Sequence, residues 1–261
     1  SSSNTVRRVV MTEASAARHF TNSGFVIPNV FDKNYSECTI DFWIKPASLT
    51  NYNQQMGPGW GKFLIHANSD GTLSVGWANN SSGRINVSGA LGVNRWTHVA
   101  IAVQQSRMTV FVNGTQKGSV SSSSYSGLGG FGDLEVGVSG NALDGSIADF
   151  RIWDYAWAAK DATANLRQAV ADVSLHPHLI AYYRMDDITQ DGKLYLNDCV
   201  GGNHGILMDE SAQSKEDFEE ATSANRINAN FTYEGGTTST YYVGETVHLV
   251  NASSLATTRL E

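Results

Sequence analysis

Cysteine, proline and positive charge are all scarce in this sequence. It has 2 cysteines and 4 prolines among 261 residues. Two cysteines, Cys38 and Cys199, are too few for a disulfide scaffold, because small disulfide-rich domains carry several bridges. They could form one bridge or remain two free thiols, and the sequence leaves both alternatives open.

Long apolar runs are missing as well. No stretch approaches the roughly 20 apolar residues that a membrane-spanning helix needs. The first ten residues, SSSNTVRRVV, lack the apolar core of a signal peptide. We therefore expect no transmembrane segment, and the chain is typical of a mature or trimmed segment.

Basic residues number 18 against 25 acidic ones, which gives a formal net charge of −7. Proteins that bind nucleic acid neutralise phosphates with clustered lysines and arginines. No such cluster is present in the sequence. We therefore expect no nucleic-acid partner.

Local catalytic motifs are also absent. The sequence contains no His-Glu-x-x-His or Cys-x-x-Cys metal motif and no Gly-x-Ser-x-Gly nucleophile turn. A Ser-His-Asp triad stays open, because its members need not be close in the chain. The motifs thus give no positive sign of an enzyme.

Glycine and aromatic residues, by contrast, are abundant, with 25 glycines and 10% Phe, Trp and Tyr. Many glycines and few prolines favour strands joined by tight turns over helices. A length of 261 residues suits one large β-sandwich, or one sandwich with a small appendage. We therefore predict an all-β fold.

The clearest strand pattern lies in residues 94–118. Apolar and polar residues alternate over 96–103 and again over 108–112, as in strands that bury one face. The polar residues 104–107 predict a turn between them. Asn113-Gly114 then predicts a further hairpin, because both residues tolerate positive φ. The strands should therefore be consecutive and antiparallel.

A second strand is predicted at residues 36–46, SECTIDFWIKP, and its final proline cannot donate to a sheet ladder. Successive side chains of a strand point to opposite faces. One face should therefore carry Cys38, Ile40, Phe42 and Ile44, and the other Thr39, Asp41 and Trp43.

Four segments together resemble the laminin-G-like, concanavalin A-like lectin/glucanase jelly roll. They are residues 36–46, the meander 96–118, residues 143–153 (LDGSIADFRIW) and residues 197–208 (NDCVGGNHGILM), in the order of that family. The family usually has a short helix after the third segment, and DYAWAAKDATANLRQAV there contains no glycine or proline. The resemblance implies an antiparallel jelly-roll β-sandwich with one short helix.

Composition suggests three parts of the chain. We predict a laminin-G-like domain at 1–208 and an acidic, polar linker at 209–226. Residues 227–261 regain strand character and resemble the first strands of a PKD-like, immunoglobulin-type module, which would make the chain a piece of a multidomain protein. Alternatively, they add a few C-terminal edge strands to the main sandwich.

Paired carboxylates on one strand would indicate a catalytic site. Glycoside hydrolases on this fold typically carry Glu-x-Asp-x-(x)-Glu on one strand, so that acid and nucleophile face each other. This triplet is absent, and we interpret the nearest approach, residues 133–135 (DLE), as solvated strand charges. Asp41 and Asp149 should lie on neighbouring strands, with Arg151 in a cross-strand ion pair. Calcium binding is the alternative role for these two carboxylates.

Oxygen-rich loops form a candidate calcium site, which lectin-like relatives often have. The candidate ligands are Asn29, Asp32, Asp198 and Asn203. Their spacing is not that of a dedicated calcium loop. The alternative is that Asp198 and Asn203 are turn residues bonded to the backbone.

Aromatic residues in or beside loops predict a carbohydrate site. A sugar ring offers an apolar C–H face to an aromatic platform, and a rim of hydroxyls to amide or guanidinium groups. The candidates are Tyr52, Asn53, Gln54, Trp60, Trp77, Asn79 and Arg84. The alternative is that the aromatic side chains only plug one end of the sandwich.

The family resemblance implies a non-catalytic binding module, outside the cell or on its surface, within a larger bacterial protein. Its expected ligand is a glycan or cell-surface polysaccharide, and its other partners are further domains of the same polypeptide. A glycoside hydrolase and a structural or protein-adhesion module stay open, because one fold hosts many functions.

Overall fold

The computed structural model describes most of the chain. The described residues are 16–58, 63–77, 83–126, 128–137, 140–166, 170, 173–218, 231–233 and 249–251. The chain divides into two compact units, residues 1–218 and 219–261. Each is described by itself.

The first unit is built from strands. They are β1 (Ala16–Ser23), β2 (Phe25–Phe31), β3 (Glu37–Pro46), β4 (Met56–Gly57), β5 (Phe63–Ala67), β6 (Leu73–Trp77), β7 (Arg84–Val87), β8 (Thr97–Val112), β9 (Thr115–Ser126), β10 (Gly132–Val136), β11 (Leu143–Trp153), β12 (Leu179–Gln190), β13 (Lys193–Asp198), β14 (Gly205–Leu207) and β15 (Gln213–Asp217). One α-helix, α1 (Ala159–Asn165), and a short 3-10 helix (Val173–Leu175) separate β11 from β12.

The strands pair in the order β7-β6-β5-β4-β10-β2-β14-β13-β12-β11-β3-β8-β9, with β1 between β11 and β15. Every pairing between these strands is antiparallel. The predicted all-β, antiparallel sandwich with one α-helix is therefore confirmed.

The core lies between two layers of this path. Phe25 of β2 packs edge-on against Phe150 of β11, with ring centroids 5.8 Å apart. Phe42 of β3 stacks on the same ring at 5.5 Å. Since β2 pairs with β10 and β14 and not with β11 or β3, these contacts join opposite layers. Burying each phenylalanine contributes about 1.5–3 kcal/mol.

The segment after β11 covers the outer side of one layer. Trp157 and Ala162 of this segment pack with Ala100, Trp153 and Tyr182 in a second apolar cluster, separate from the main core. Helix α1 begins where the amide of Ala158 donates to the Asp161 carboxylate at 2.8 Å. The two faces predicted for β3 are confirmed, because its alternate residues lie in the main core and on this covered side.

The element β8 is itself a hairpin. The Asn113 amide donates to the His98 carbonyl at 2.9 Å, whereas an extended run of that length would span about 50 Å. The chain turns near Ser106, which has φ +63°. A second hairpin follows at Asn113-Gly114, with φ +49° and +74°, and leads into β9. Both predicted hairpins of this region are present.

The structure differs from the prediction of a linker at 209–226. Residues 213–217 form β15, which pairs with β1. Nζ of Lys45 lies 3.2 Å from Oε2 of Glu216, and Phe218 is 2% exposed. The charged residues of β15 pair with neighbouring strands, as is common at a sheet edge. Its sequence is therefore polar, and its composition resembles that of a linker.

Two strands are described in the second unit. β16 (Phe231–Tyr233) pairs antiparallel with β17 (Leu249–Asn251) in a two-stranded sheet of their own. The rest of residues 219–261 lies outside the described residues. The resemblance of this unit to a PKD-like module stays a prediction.

The two cysteines are unpaired in the structure. Cys38 lies in the main core, whereas Cys199 packs against the cluster on the covered side. Burial raises the pKa of both thiols. Of the two alternatives left by the sequence, the structure shows the free thiols.

Candidate functional site

A row of polar side chains crosses the outer side of strands β5, β6 and β7. The register places His66 opposite Ser74, and Ser74 opposite Asn86. Their strand neighbours Ile65 and Val75 belong to the core, so the three polar side chains point the other way. Oγ of Ser74 donates to Oδ1 of Asn86 at 2.7 Å.

Arg84 joins this row by extending over a glycine. It lies opposite Gly76, where an added Cβ would be 3.3 Å from Cγ of Arg84. The guanidinium passes over Gly76 and reaches Ser74, to whose Oγ it donates from Nη2 at 2.8 Å and from Nε at 3.2 Å. We call His66, Ser74, Arg84 and Asn86 the polar row.

Arg84 has neutral hydrogen-bond partners only, within the part of the chain that the structure describes. Nη2 donates to Nε2 of His66 at 3.0 Å, and Nη1 lies 3.4 Å from the Gly76 carbonyl. None of the ion pairs among these residues includes Arg84. Burial lowers the pKa of Arg84, and the nearby Tyr52 acts in the opposite direction. Among the described residues, the row therefore holds a positive charge without a fixed counter-charge.

His66 is neutral in this arrangement. Its Nε2 accepts from Arg84, so we assign the proton to Nδ1, which donates to the Ala67 carbonyl at 3.2 Å. Burial lowers the pKa of His66, the bond to Ala67 opposes this, and the Arg84 charge lowers the pKa further. His66 therefore charges only in acid.

Tyr52 lies over the row and is the most accessible aromatic group there. Its ring centroid is 5.1 Å from that of His66, at an angle of 59°. The side chain is 58% exposed, and the backbone has φ +72°, which is uncommon for a residue other than glycine. The Tyr52 amide donates to the Ala67 carbonyl at 2.9 Å, which fixes the ring beside β5.

Gln54 and Asn53 hold the Tyr52 loop in place. Nε2 of Gln54 donates to the carbonyls of Ser48 and Asp144 at 3.1 and 2.7 Å, and its Oε1 accepts from the Asp144 amide at 3.2 Å. Nδ2 of Asn53 donates to Ser48 at 3.2 Å. Both side chains are buried. They were predicted as ligand-binding groups, and the structure places them as supports of the loop.

The structure brings together only some of the predicted carbohydrate-binding residues. Tyr52 and Arg84 converge at the row. Trp77 instead lies against the core, half-buried, with its ring 5.4 Å from Phe63. Trp60 and Asn79 lie outside the described residues.

Sequence reasoning missed three residues of the row, namely His66, Ser74 and Asn86. Residues 63–67 (FLIHA) are all buried, so the alternation that marks a two-faced strand is weak there. The signal that could have found them is the pairing of strands across the turn at 68–71, because correct register places alternate residues of both strands on one side.

The candidate calcium ligands fit a different role. Oδ1 of Asp198 accepts the amides of Tyr182 and Val200, and its Oδ2 those of Gly201 and Asn203, all at 3.0 Å. With four amides bound, this carboxylate has little capacity left for an ion. Nδ2 of Asn203 donates to the Pro28 carbonyl at 2.8 Å.

The other two candidate ligands lie on the neighbouring loop. The Asn29 amide donates to Asp133 at 2.7 Å, and the Asp32 amide donates to the Asn29 carbonyl at 3.1 Å. Within the described ranges, no three His, Cys, Asp or Glu side chains are grouped closely enough to hold a metal ion. These residues therefore do not fit a calcium site well, and calcium binding stays an untested prediction.

The predicted cross-strand ion pair is present on the covered side of the sandwich, with Asp41 as the acidic partner. Nε of Arg151 lies 3.0 Å from Oδ2 of Asp41. Nε2 of His98 donates to the same oxygen at 3.0 Å, and the Trp153 indole donates to Oδ1 at 2.8 Å. We call these four residues the buried cluster, since each is at most 2% exposed.

Electrostatics in the buried cluster favour one charge state. Burial would raise the pKa of Asp41, but the charge of Arg151 and the bond from His98 outweigh burial and lower the pKa. Burial lowers the pKa of His98 despite its bond to Asp41. Asp149, the other candidate carboxylate, accepts from the Tyr182 hydroxyl at 2.7 Å. These carboxylates are engaged inside the protein.

Comparison with protein families gives one match. A family model described as the concanavalin A-like lectin/glucanases superfamily matches residues 20–162, more than half of the chain. No curated protein matches the chain in sequence.

Solved structures show similar folds. A candidate carbohydrate binding protein from Bacteroides ovatus has a TM-score of 0.64 and 19% identity, over 79% of this chain and 61% of that one. The present chain thus spans less than two thirds of its length. At such identity the likeness concerns the fold alone.

Two further structures are similar over 58% of this chain. Domain 4 of AbnA, a GH43 extracellular arabinanase of Geobacillus stearothermophilus, in complex with arabinotriose, has a TM-score of 0.46, 20% identity and 76% of its own chain covered. The CBM40 of the Ruminococcus gnavus IT-sialidase, bound to α2,3-sialyllactose, has a TM-score of 0.42, 13% identity and 98% coverage.

Proposed function

Because the chain belongs to the concanavalin A-like lectin/glucanase superfamily, we propose that its sandwich is a carbohydrate-binding module whose site is the polar row with Tyr52. The observation that carries this proposal is the exposed Tyr52 ring, held beside a row of hydrogen-bonding groups. An aromatic ring can stack on the C–H face of a sugar while polar groups bind its hydroxyls.

The polar row offers both kinds of hydrogen-bonding group. Arg84 has N–H donors, and the amide of Asn86 supplies a donor and an acceptor. Asn86 is exposed and Arg84 is half-buried. Because the row is anchored on paired strands, its geometry is fixed before a ligand arrives, which lowers the entropy cost of binding.

We propose that the module is non-catalytic. Glycoside hydrolysis uses two carboxyl groups on either side of the scissile bond. The polar row contains no carboxylate, and Asp41 and Asp149 are 0% and 3% exposed, with partners inside the protein. Asp133 accepts the Asn29 amide. The glycan-array experiment below distinguishes this proposal from the two alternatives, a hydrolase and a protein-adhesion module.

We also propose an extracellular or cell-surface setting, with a glycan or surface polysaccharide as partner, beside other domains of a larger bacterial protein. The superfamily and the separate unit at residues 219–261 support this proposal. Of the helices described, none is long and apolar enough to cross a membrane.

A glycan array tests the function, with calcium and again with EDTA. We expect binding that falls about tenfold in Tyr52→Ala, because an aromatic platform contributes about 0.5–1.5 kcal/mol beyond its buried area. Leu175→Ala is the matched control, since it truncates an exposed apolar side chain (73%) outside the polar row. Loss of binding in EDTA would support the calcium prediction.

Three outcomes would contradict parts of this proposal. Unchanged binding by Tyr52→Ala would place the site elsewhere on the molecule. Absence of binding to every glycan under both conditions would favour a structural or protein-adhesion role. Release of reducing ends from bound glycans would contradict the non-catalytic assignment.

A further inference from the structure

We propose that the glycan bound at the polar row is acidic, and that its carboxylate, as in uronic and sialic acids, binds Arg84. This inference rests on the proposed function and adds the chemical class of the ligand. The observation behind it is a half-buried guanidinium whose partners in the described structure are His66, Ser74 and the Gly76 carbonyl, all of them neutral.

An arginine in this position gains more from an anion than an exposed one. Its partial burial removes water from the charge, which is unfavourable unless an opposite charge replaces that water. Hydrogen bonds between a guanidinium and a carboxylate are roughly twice as strong as neutral ones. The row therefore favours a ligand that carries a negative charge.

Among the described residues, no acidic side chain contacts Arg84, so we expect the ligand to supply the acidic group. The strand ends next to it continue into residues 59–62 (GWGK) and 78–82 (ANNSS), which lie outside the described residues and contain no Asp or Glu in sequence. Nη1 has only the long 3.4 Å contact to Gly76. Its remaining N–H can donate to a carboxylate oxygen beside the Tyr52 ring.

His66 couples this binding to pH. The titratable groups in contact with it, on the elements packed around it, are Arg84 on one side and Tyr52 on the other. Protonation turns Nε2 from an acceptor into a donor, so Arg84 loses this partner and its Nη2 becomes available to the ligand. The site then presents two positive charges. A bound carboxylate consequently favours protonated His66, and His66 is a positioning residue for Arg84.

The direction of the pH dependence follows from linkage. A carboxylate raises the pKa of His66 in the complex, so binding takes up a proton and strengthens as the pH falls from 7.5 to 5. The sugar carboxyl stays ionised there, because such groups titrate near pH 3–4. We expect about fivefold tighter binding at pH 5, the effect of one added charge a few ångströms away in water.

The closing experiment compares matched sugars on one array. The probes are sialyllactose with lactose, trigalacturonate with its methyl ester, and sulfated lactose as a different anion. We expect the acid of a pair to bind at least about fivefold better than its neutral partner. Arg84→Gln should remove this difference, whereas Arg107→Gln, the same exchange at an exposed arginine of β8, should leave it unchanged.

A second pair of variants tests the pH coupling. His66→Gln keeps an acceptor for Arg84 but cannot titrate, so acid preference should persist while its pH dependence disappears. His178→Gln, at a 64% exposed histidine, is the control. Calorimetry in two buffers of different ionisation enthalpy measures the proton uptake directly.

The outcomes separate the two proposals. Equal binding of acidic and neutral sugars would overturn this inference and leave carbohydrate binding standing. Preference for sulfated over carboxylated probes would contradict the carboxylate assignment. Binding of no sugar at all would overturn both proposals. Unchanged pH dependence in His66→Gln would remove His66 from its positioning role.

Discussion

The protein contains two arginine–histidine pairs on the outer sides of its sandwich, and they differ in the residue that accepts hydrogen bonds from the arginine. In the buried cluster, Asp41 lies between Arg151 and His98 and binds both. In the polar row, the hydroxyl of Ser74 takes the place beside Arg84, and His66 bonds to the arginine directly. The same pair of side chains is neutralised internally in one place and left positive in the other.

This difference separates a stabilising role from a binding role. The carboxylate of the buried cluster has its hydrogen bonds satisfied by three neighbours, and the segment carrying α1 covers it. The polar row has no internal carboxylate and lies beside an exposed tyrosine. We propose that the arginine with a fixed counter-charge links its neighbouring strands, whereas the one without such a partner among the described residues binds a ligand anion.

Asp41→Asn removes the carboxylate of the buried cluster, so that this cluster, like the polar row, contains an arginine but no carboxylate. We expect this variant to lose the most stability. Arg151 would stay buried without this ion-pair partner, with the charge of Asp149 as a remaining attraction, and breaking a buried ion pair by removing one partner costs about 3–5 kcal/mol. Urea unfolding followed by tryptophan fluorescence measures the loss. Arg84→Gln is the control and should change stability by less than about 1 kcal/mol. A similarly small loss in Asp41→Asn would show that the covered side tolerates an unpaired arginine.

Ser74→Asp makes the opposite change, since it gives Arg84 an internal carboxylate at the site of its 2.8 Å contact. We expect a loss of stability of about 1–3 kcal/mol, because Ser74 is 3% exposed and attraction to Arg84 only partly offsets the desolvation of a carboxylate placed there. Preference for acidic glycans should disappear, because the anion site is already occupied. Ser74→Asn, of similar size and without charge, is the control. If the preference for acidic glycans survives in Ser74→Asp but is lost in Ser74→Asn, an internal carboxylate is not what distinguishes the buried cluster from the polar row.

The two histidines give the smallest effect, a difference in the pH dependence of stability. The folded pKa of His98 lies below its unfolded value of about 6.5, because burial disfavours its charge. The unfolded chain then binds more protons, so stability falls as pH drops below about 6.5. In urea titrations between pH 7 and 5, His98→Gln should have a shallower slope than the unmodified protein.

His66 contributes to the same slope with the same sign, because its pKa is also lowered. An acidic glycan should remove the contribution of His66 and leave that of His98 unchanged. The ligand would then flatten the slope in the unmodified protein but have no such effect in His66→Gln. Equal flattening in both proteins would mean that the glycan acts on another group.

Local signals in the sequence predicted much of the fold. Asn113-Gly114 marks a hairpin through φ values that few other residues adopt, and the alternation in 36–46 assigns the faces of β3 correctly. Phe218 was missed for a physical reason. A single apolar residue in an acidic stretch shows no periodicity, although it becomes buried when β15 pairs with β1.

The candidate site was predictable only in part. Tyr52 and Arg84 could be predicted from residue type alone, because an aromatic ring and a guanidinium are typical sugar-binding groups. Trp77 shares strand parity with Leu73 and Val75, both of them core residues, so the alternation already argued for packing. The contact of Arg84 with His66 depends instead on the register of three strands and on the absence of a side chain at Gly76. Neither can be read from residue types.

Strand β1 has a consequence for the synthesis of the protein. It pairs on one side with β11 and on the other with β15, where Ala17 lies opposite Glu216, roughly 200 residues later. At about 5–20 residues per second, a ribosome adds that length in about 10–40 s. Throughout that time the outer edge of β1 exposes unpaired backbone amides and carbonyls, the kind of edge on which chains associate. Such distant pairing also slows folding. The edge of β1 therefore stays open to association with other chains until β15 has been synthesised.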